Sequence, residues 1–267
     1  MRAMVETATE QALLWREDNQ GLTTLTLNRP DQYNALSQAM LTALQTELDH
    51  IAADQSIRVV VLAAAGKAFC AGHDLKEMRA NPDKAFYQAL FGQCSRLMLT
   101  LTRLPQPVIA RVQGLATAAG CQLVAACDLA VAAETAKFAT SGIRVGLFCA
   151  TPAVAVSRNL SRKKALEMLL TGDFIDAREA LAQGLVNRVV PAEKLDAEVQ
   201  ALVEAILAKS AVAVAMGKEM FYQQLELGLE AAYAYASEVM ACNMLAEDAT
   251  EGIDAFIQKR PPVWKHR

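Results

Sequence analysis

Fifteen residues constrain this chain more than any others: Gly114-Leu-Ala-Thr-Ala-Ala-Gly-Cys-Gln-Leu-Val-Ala-Ala-Cys-Asp128. They follow an apolar run, residues 107–113, that reads as a buried strand. Small side chains at its exit let the backbone approach a ligand closely, and a helix then begins. The first N–H groups of a helix have no intrahelical acceptor and lie at its positive end. Such a junction suits an anion or a developing oxyanion. Residues 66–78 (Gly-Lys-Ala-Phe-Cys-Ala-Gly-His-Asp-Leu-Lys-Glu-Met) have the same form, as a glycine loop leaving a strand over residues 58–63. Two such loops can each aim one backbone donor at a single carbonyl oxygen.

The rest of the chain alternates in the same manner. Residues 13–18 and 22–27 predict a hairpin around Asn19-Gln-Gly21. Pro30 biases Arg29 away from helix, so residues 27–36 are expected to form a loop. Ser37 predicts an N-cap, with Met40, Leu41, Leu44, Leu48 and Ile51 forming the buried stripe of a helix that runs to Ala53. A helix over residues 84–104 stops at Pro105. Another spans 118–127, short strands follow at 129–132 and 137–140, helices occupy 152–184, and residues 186–190 close the core. This order predicts an α/β fold with parallel strands and a ligand beyond their C-terminal ends. From Pro191 onward nothing reads as strand, and residues 193–209, 211–227, 229–247 and 250–259 predict helices with apolar faces suited to a neighbouring subunit. The expected organisation is a loose tail (1–10), a core (11–192) and a C-terminal helical region for trimerisation (193–267).

Composition narrows the partners. A net charge of −3 without a dense Lys/Arg run argues against nucleic acid. No apolar stretch approaches the roughly 20 residues that span a bilayer, and the N-terminal residues lack the apolar centre of a secretory signal. The 6 cysteines and 3 histidines show no metal-ligand spacing, so no metal is expected. Thiols inside apolar runs read as reduced and buried, which predicts a cytoplasmic protein.

Four motifs in order, LNRPDQYNAL (27–36), GKAFCAGHDLKEM (66–78), VQGLATAAGCQL (112–123) and AFIQKRPPVW (255–264), resemble the crotonase (enoyl-CoA hydratase/isomerase) superfamily over nearly the whole chain. Residues 138–158 are most similar to a branch of it without a settled reaction. The resemblance implies a ββα spiral core, a C-terminal helical oligomerisation region, a homotrimer or dimer of trimers, and a coenzyme A thioester as substrate. Carried onto this chain, the oxyanion hole is the backbone N–H of His73 and of Ala119. Gln32, Tyr33, Asp74, Leu75 and Lys76 line the groove for the nucleotide, and Phe256 and Lys259 reach it from the C-terminal helix. Asp74 and Asp128 are expected to hold loop amides and helix ends.

The chain departs from the pattern where protons move. Gln122 and Gly142 occupy the positions of the hydratases' two glutamates. A glutamine amide cannot serve as a base near neutral pH, and glycine offers only its backbone. Ordinary hydratase activity is therefore not expected. Three substitutes are open: the His73 imidazole, the Cys149 thiol, and a bicarbonate beside Ser141 and Gly142, the last by resemblance to naphthoate synthases. The expected function is acyl-CoA chemistry through a stabilised thioester enolate, by hydration, isomerisation or decarboxylation. The alternative is an acyl-CoA-binding protein without catalysis. No other cofactor is expected.

Overall fold

A computed structural model describes residues 12–267; the expected tail over 1–10 lies outside the described residues. Strand β1 (Leu14–Asn19) pairs antiparallel with β2 (Leu22–Leu27) across Gln20-Gly21, both at positive φ. Helix α1 (Gln38–Ala53) starts at Ser37, whose Oγ accepts the Met40 N–H at 3.2 Å, and the five apolar residues expected to be buried are buried. The chain then runs through β3 (Val59–Ala64), β4 (Ala68–Cys70), α2 (Leu75–Ala80) and α3 (Lys84–Arg103). It continues through β5 (Val108–Val112), β6 (Leu115–Thr117), α4 (Ala119–Ala126), β7 (Leu129–Ala133) and β8 (Lys137–Ala139). Next come α5 (Ala150–Asn159), α6 (Arg162–Thr171), β9 (Ile175–Asp176), α7 (Ala177–Gln183) and β10 (Arg188–Val190). Four helices finish the chain: α8 (Leu195–Leu207), α9 (Ala211–Gln224), α10 (Leu229–Met244) and α11 (Glu247–Gln258).

These elements build the expected α/β spiral. A six-stranded sheet has the order β1-β2-β3-β5-β7-β10, and a four-stranded sheet has the order β4-β6-β8-β9. Each turn gives one strand to each sheet and returns through a helix: β3-β4-α3, β5-β6-α4, β7-β8-α5. The strands in those turns pair parallel within their own sheets. The glycine stretches are thus not plain loops. Each holds a three-residue strand of the smaller sheet, too short to leave a period in the sequence.

β3 shows why its sequence is apolar throughout. Val60, Leu62 and Ala64 face the main core, while Val59, Val61 and Ala63 face a second cluster closed by Leu195, Val199 and Val203 of α8. A strand covered on both faces has no polar side. Each of those α8 side chains removed from water is worth about 1.5–3 kcal/mol. Helix α8 is therefore a wall of the core, although it belongs to the run of helices expected to serve assembly.

α9 is fixed to the core by a buried ion pair. Lys218 Nζ lies 2.7 Å from Asp128 Oδ2 and donates to the carbonyls of Leu101 and Gln106 at 2.8 and 3.0 Å. Asp128 also accepts from Val108 N and Tyr222 Oη at 2.6 and 2.9 Å. Asp128 is structural, as expected. Burial pushes its carboxyl up and the Lys218 ammonium down, each opposed by the other's charge. Asp128→Ala would strand a buried ammonium and should cost about 3–5 kcal/mol. A lowered urea midpoint at unchanged slope checks this; a loss below about 1 kcal/mol would refute it.

Candidate active site

The two motif segments meet because glycines let backbone touch backbone. A Cβ on Gly120, in the first turn of α4, would overlap the Cys70 carbonyl oxygen at the end of β4. Gly72 (φ 92°) lies against the start of α4: a Cβ there would sit 2.9 Å from the Ala118 methyl and 3.1 Å from the Ala119 nitrogen. His73, next after Gly72, and Ala119 are thereby neighbours across the joint. His73 is bridged to Leu36, yet that bridge uses the carbonyl of Gly72 and the amide of Asp74, leaving the His73 N–H free. Among the described residues, neither the His73 nor the Ala119 amide donates to another group of the chain.

α4 itself is buried along its whole length and begins without a side-chain cap. Its N-cap, Ala118, has φ 51° and ψ −122°, a conformation that glycine alone takes without strain. Holding a non-glycine residue there costs about 1–3 kcal/mol. Composition gave no sign of this, because alanine is otherwise an ordinary helix former.

The 27–36 loop is stitched to the same place. Asn34, fully buried at φ 55°, accepts from Arg29 N and donates to the carbonyls of Ala65 and Ala68 at 2.9 and 2.8 Å. The Arg29 guanidinium contacts Gln32 and pairs with Asp74 at 3.1 Å. Asp74 also caps α2 through the amides of Lys76 and Glu77. It therefore braces loops and leaves no free carboxylate for a nucleotide groove. Gln32, Tyr33, Leu75 and Lys76 are exposed on this side, with Lys67 Nζ 5.0 Å from the Tyr33 ring centroid. Lys67 and Asn34 were not singled out in the sequence, although both lie inside the quoted motifs. Asn tolerates a left-handed backbone, which was the available signal. Phe256 and Lys259 lie at the end of α11, which packs on α9 and α10, and the Phe256 ring is 85% exposed.

Gln122 and Gly142 bring no carboxylate to the amides. Gln122 is buried, and its Oε1 has no partner among the described residues. A Cβ on Gly142, beside which a bicarbonate is one of the expected substitutes, would lie 2.6 Å from the Leu147 carbonyl oxygen and 2.8 Å from Cys149 Sγ. A carbonyl oxygen there repels an anion, so this side of Gly142 offers bicarbonate no cavity. Ser141 Oγ instead hydrogen-bonds Thr117 Oγ1 at 2.6 Å. The His73 ring packs edge-on against Phe91 (centroids 5.4 Å), with Nδ1 3.3 Å from the Leu36 carbonyl, and burial lowers its pKa. Burial raises that of Cys149, which keeps it a thiol.

Two outcomes are expected from this geometry. Gly120→Ala should cost about 1–3 kcal/mol or more by forcing β4 from α4, read as a drop in Tm; an unchanged Tm would disprove the close approach. The unfolded chain protonates His73 near about pH 6.5, before the folded chain does, so stability should fall as pH drops through that value. His73→Gln should flatten this slope in denaturation series, and an unaltered slope would contradict it.

The family profile described as enoyl-CoA hydratase/isomerase matches residues 17–267. The mouse (Mus musculus) protein named enoyl-CoA hydratase domain-containing protein 3, mitochondrial, is 46% identical over 257 residues, 96% of this chain and 86% of that one. A crystal structure of enoyl-CoA hydratase from Mycobacterium smegmatis superposes with a TM-score of 0.94 at 59% identity, covering 95% of this chain and 99% of that one. The human enoyl-CoA hydratase domain-containing protein 3 superposes at 0.92 with 44% identity, covering 95% and 100%. The mitochondrial designation of the mouse relative overturns the expectation of a cytoplasmic protein. Free thiols, five of them buried, do not by themselves choose a compartment.

Proposed function

The chain belongs to the enoyl-CoA hydratase/isomerase family, and on that premise we propose that it binds acyl-CoA thioesters and polarises their carbonyl with the backbone amides of His73 and Ala119. One observation carries this reading: two interlocked loops present two amides that no group among the described residues accepts. A thioester enolate concentrates charge on one oxygen, and a preorganised donor there is worth about 2.7–4 kcal/mol, or 10²–10³ in rate. Lys67 and Lys76 on the exposed side offer point charges suited to phosphates.

Hydration also needs a base for water and an acid for the α-carbon. Gln122 can orient a donor but cannot take its proton, and the Leu147 carbonyl fills the space where a side chain from position 142 would start. The reading therefore favours enolate chemistry that needs no base at carbon. Decarboxylation, in which loss of CO2 leaves the electron pair of the enolate, comes ahead of hydration and isomerisation, which both need a proton-transfer group. The same observations favour, as a second reading, an acyl-CoA-binding protein that keeps the cradle and performs no turnover.

Association into a trimer or dimer of trimers forms part of the proposal. Leu229, Tyr233 and Met240 of α10 are 76%, 69% and 71% exposed, and Leu245 just beyond it is 87% exposed. A lone chain gains nothing from such a face. The family resemblance suggests that exposed Phe256 and Lys259 would then serve the nucleotide groove of a neighbouring copy.

The test has two steps. Calorimetric titration with butyryl-CoA should show binding, and crotonyl-CoA should not be hydrated appreciably by the wild type. Gln122→Glu, which restores one carboxylate without moving the backbone, should raise hydration. Absence of thioester binding would defeat the proposal. Rapid hydration by the unaltered protein would show that a proton-transfer group was overlooked.

A further inference from the structure

We propose that Ala118 is a positioning residue, whose methyl group sets the spacing of the two amides; this rests on the oxyanion reading above. Ala118 holds φ 51° and ψ −122° although it has a side chain. Its backbone is pinned at both ends: N donates to the Ala139 carbonyl at 2.9 Å, and O accepts from Gln122 N at 3.1 Å. Its methyl faces Gly72, at 2.9 Å from where a Cβ of that residue would lie. Gly72 leads directly into His73, and Ala118 directly into Ala119. The methyl is thus a strut between the two segments that carry the donors. A glycine would relieve the strain and remove the strut together.

A second observation fits a ligand at this end of α4. Gln122 is 3% exposed and its Oε1 has no partner among the described residues. A buried acceptor is costly unless something donates to it, and Gln122 N closes the first turn on Ala118. Strain held beside an unsatisfied acceptor is the pattern of a site in which geometry is maintained at the expense of stability.

The experiment uses the full chain and butyryl-CoA labelled with ¹³C at the thioester carbonyl. Infrared difference spectra report how strongly the bound carbonyl is polarised, which a purely structural role would leave untouched. The wild type should shift the carbonyl stretch to lower frequency. Ala118→Gly should have a raised Tm yet lose most of that shift, while Ala118→Ser, which keeps the Cβ, should retain it. No shift in the wild type would sink the oxyanion reading itself. A wild-type shift that Ala118→Gly reproduces in full would leave that reading standing and overturn the role of the methyl.

Discussion

Close approach of two backbones, with nothing larger than a methyl group between them, is the constraint on which this molecule rests. Where β4 ends and α4 begins, Gly120 meets the Cys70 carbonyl and Gly72 meets the Ala118–Ala119 peptide. Any larger residue on those glycines would push the smaller sheet away from the helix. The spiral then follows from that joint. Each turn passes from the large sheet to the small one before its helix, so three successive junctions stack over one another. The donors of His73 and Ala119 come from two of these junctions, and their separation is set by the fold rather than by flexible side chains. Preorganisation of this kind is what makes backbone dipoles effective against developing charge.

Legibility in the sequence tracks the length of each element. α1 could be read residue by residue because Ser37 caps it and five apolar positions repeat with helical spacing. The inner strands β3 and β7 of the large sheet were equally plain, since burial on both faces leaves an uninterrupted apolar run. β4, β6 and β9 were not, because two or three residues cannot display a period. The candidate site was legible only through its motifs. The residues that hold it together, Asn34 and Arg29, act through backbone carbonyls and loop geometry that composition does not reveal. The surroundings of Gly142 were likewise not legible: on its Cβ side stand the Leu147 carbonyl and the Cys149 sulfur, brought there by the turn that follows.

The missing carboxylates shift the balance of what the site can do. A hydratase combines charge stabilisation with proton transfer, and the latter alone contributes about 10²–10⁴ in rate. On the proposed reading, the amides would still stabilise an enolate without it, yet would not make one from a saturated carbon. The surroundings of His73 favour a neutral ring. Its Nδ1 is turned to the Leu36 carbonyl, its ring lies against Phe91, and burial disfavours its charged form. Cys149 is held as a thiol by the same desolvation.

α4 concentrates these demands in eight residues. It is buried from end to end, so water does not reach its termini freely. At its C-terminal side Asp128 answers with a dense set of partners, Val108, Lys218 and Tyr222, that ties the helix to α9. At its N-terminal side nothing comparable exists: the cap is an alanine, the backbone there is strained, and the first amide has no acceptor within the described chain. A buried donor left unmade costs about 1–3 kcal/mol. A fold under selection for stability alone would place serine or aspartate there, as this chain does at Ser37, Asp74, Asp83 and Asp176. Helices α5, α6, α8, α10 and α11 also start without a side-chain cap. What sets α4 apart is that its uncapped start is buried along with the whole helix, and that its cap residue, Ala118, holds a backbone conformation strained for alanine. Both features fit the proposal that this end meets a ligand oxygen.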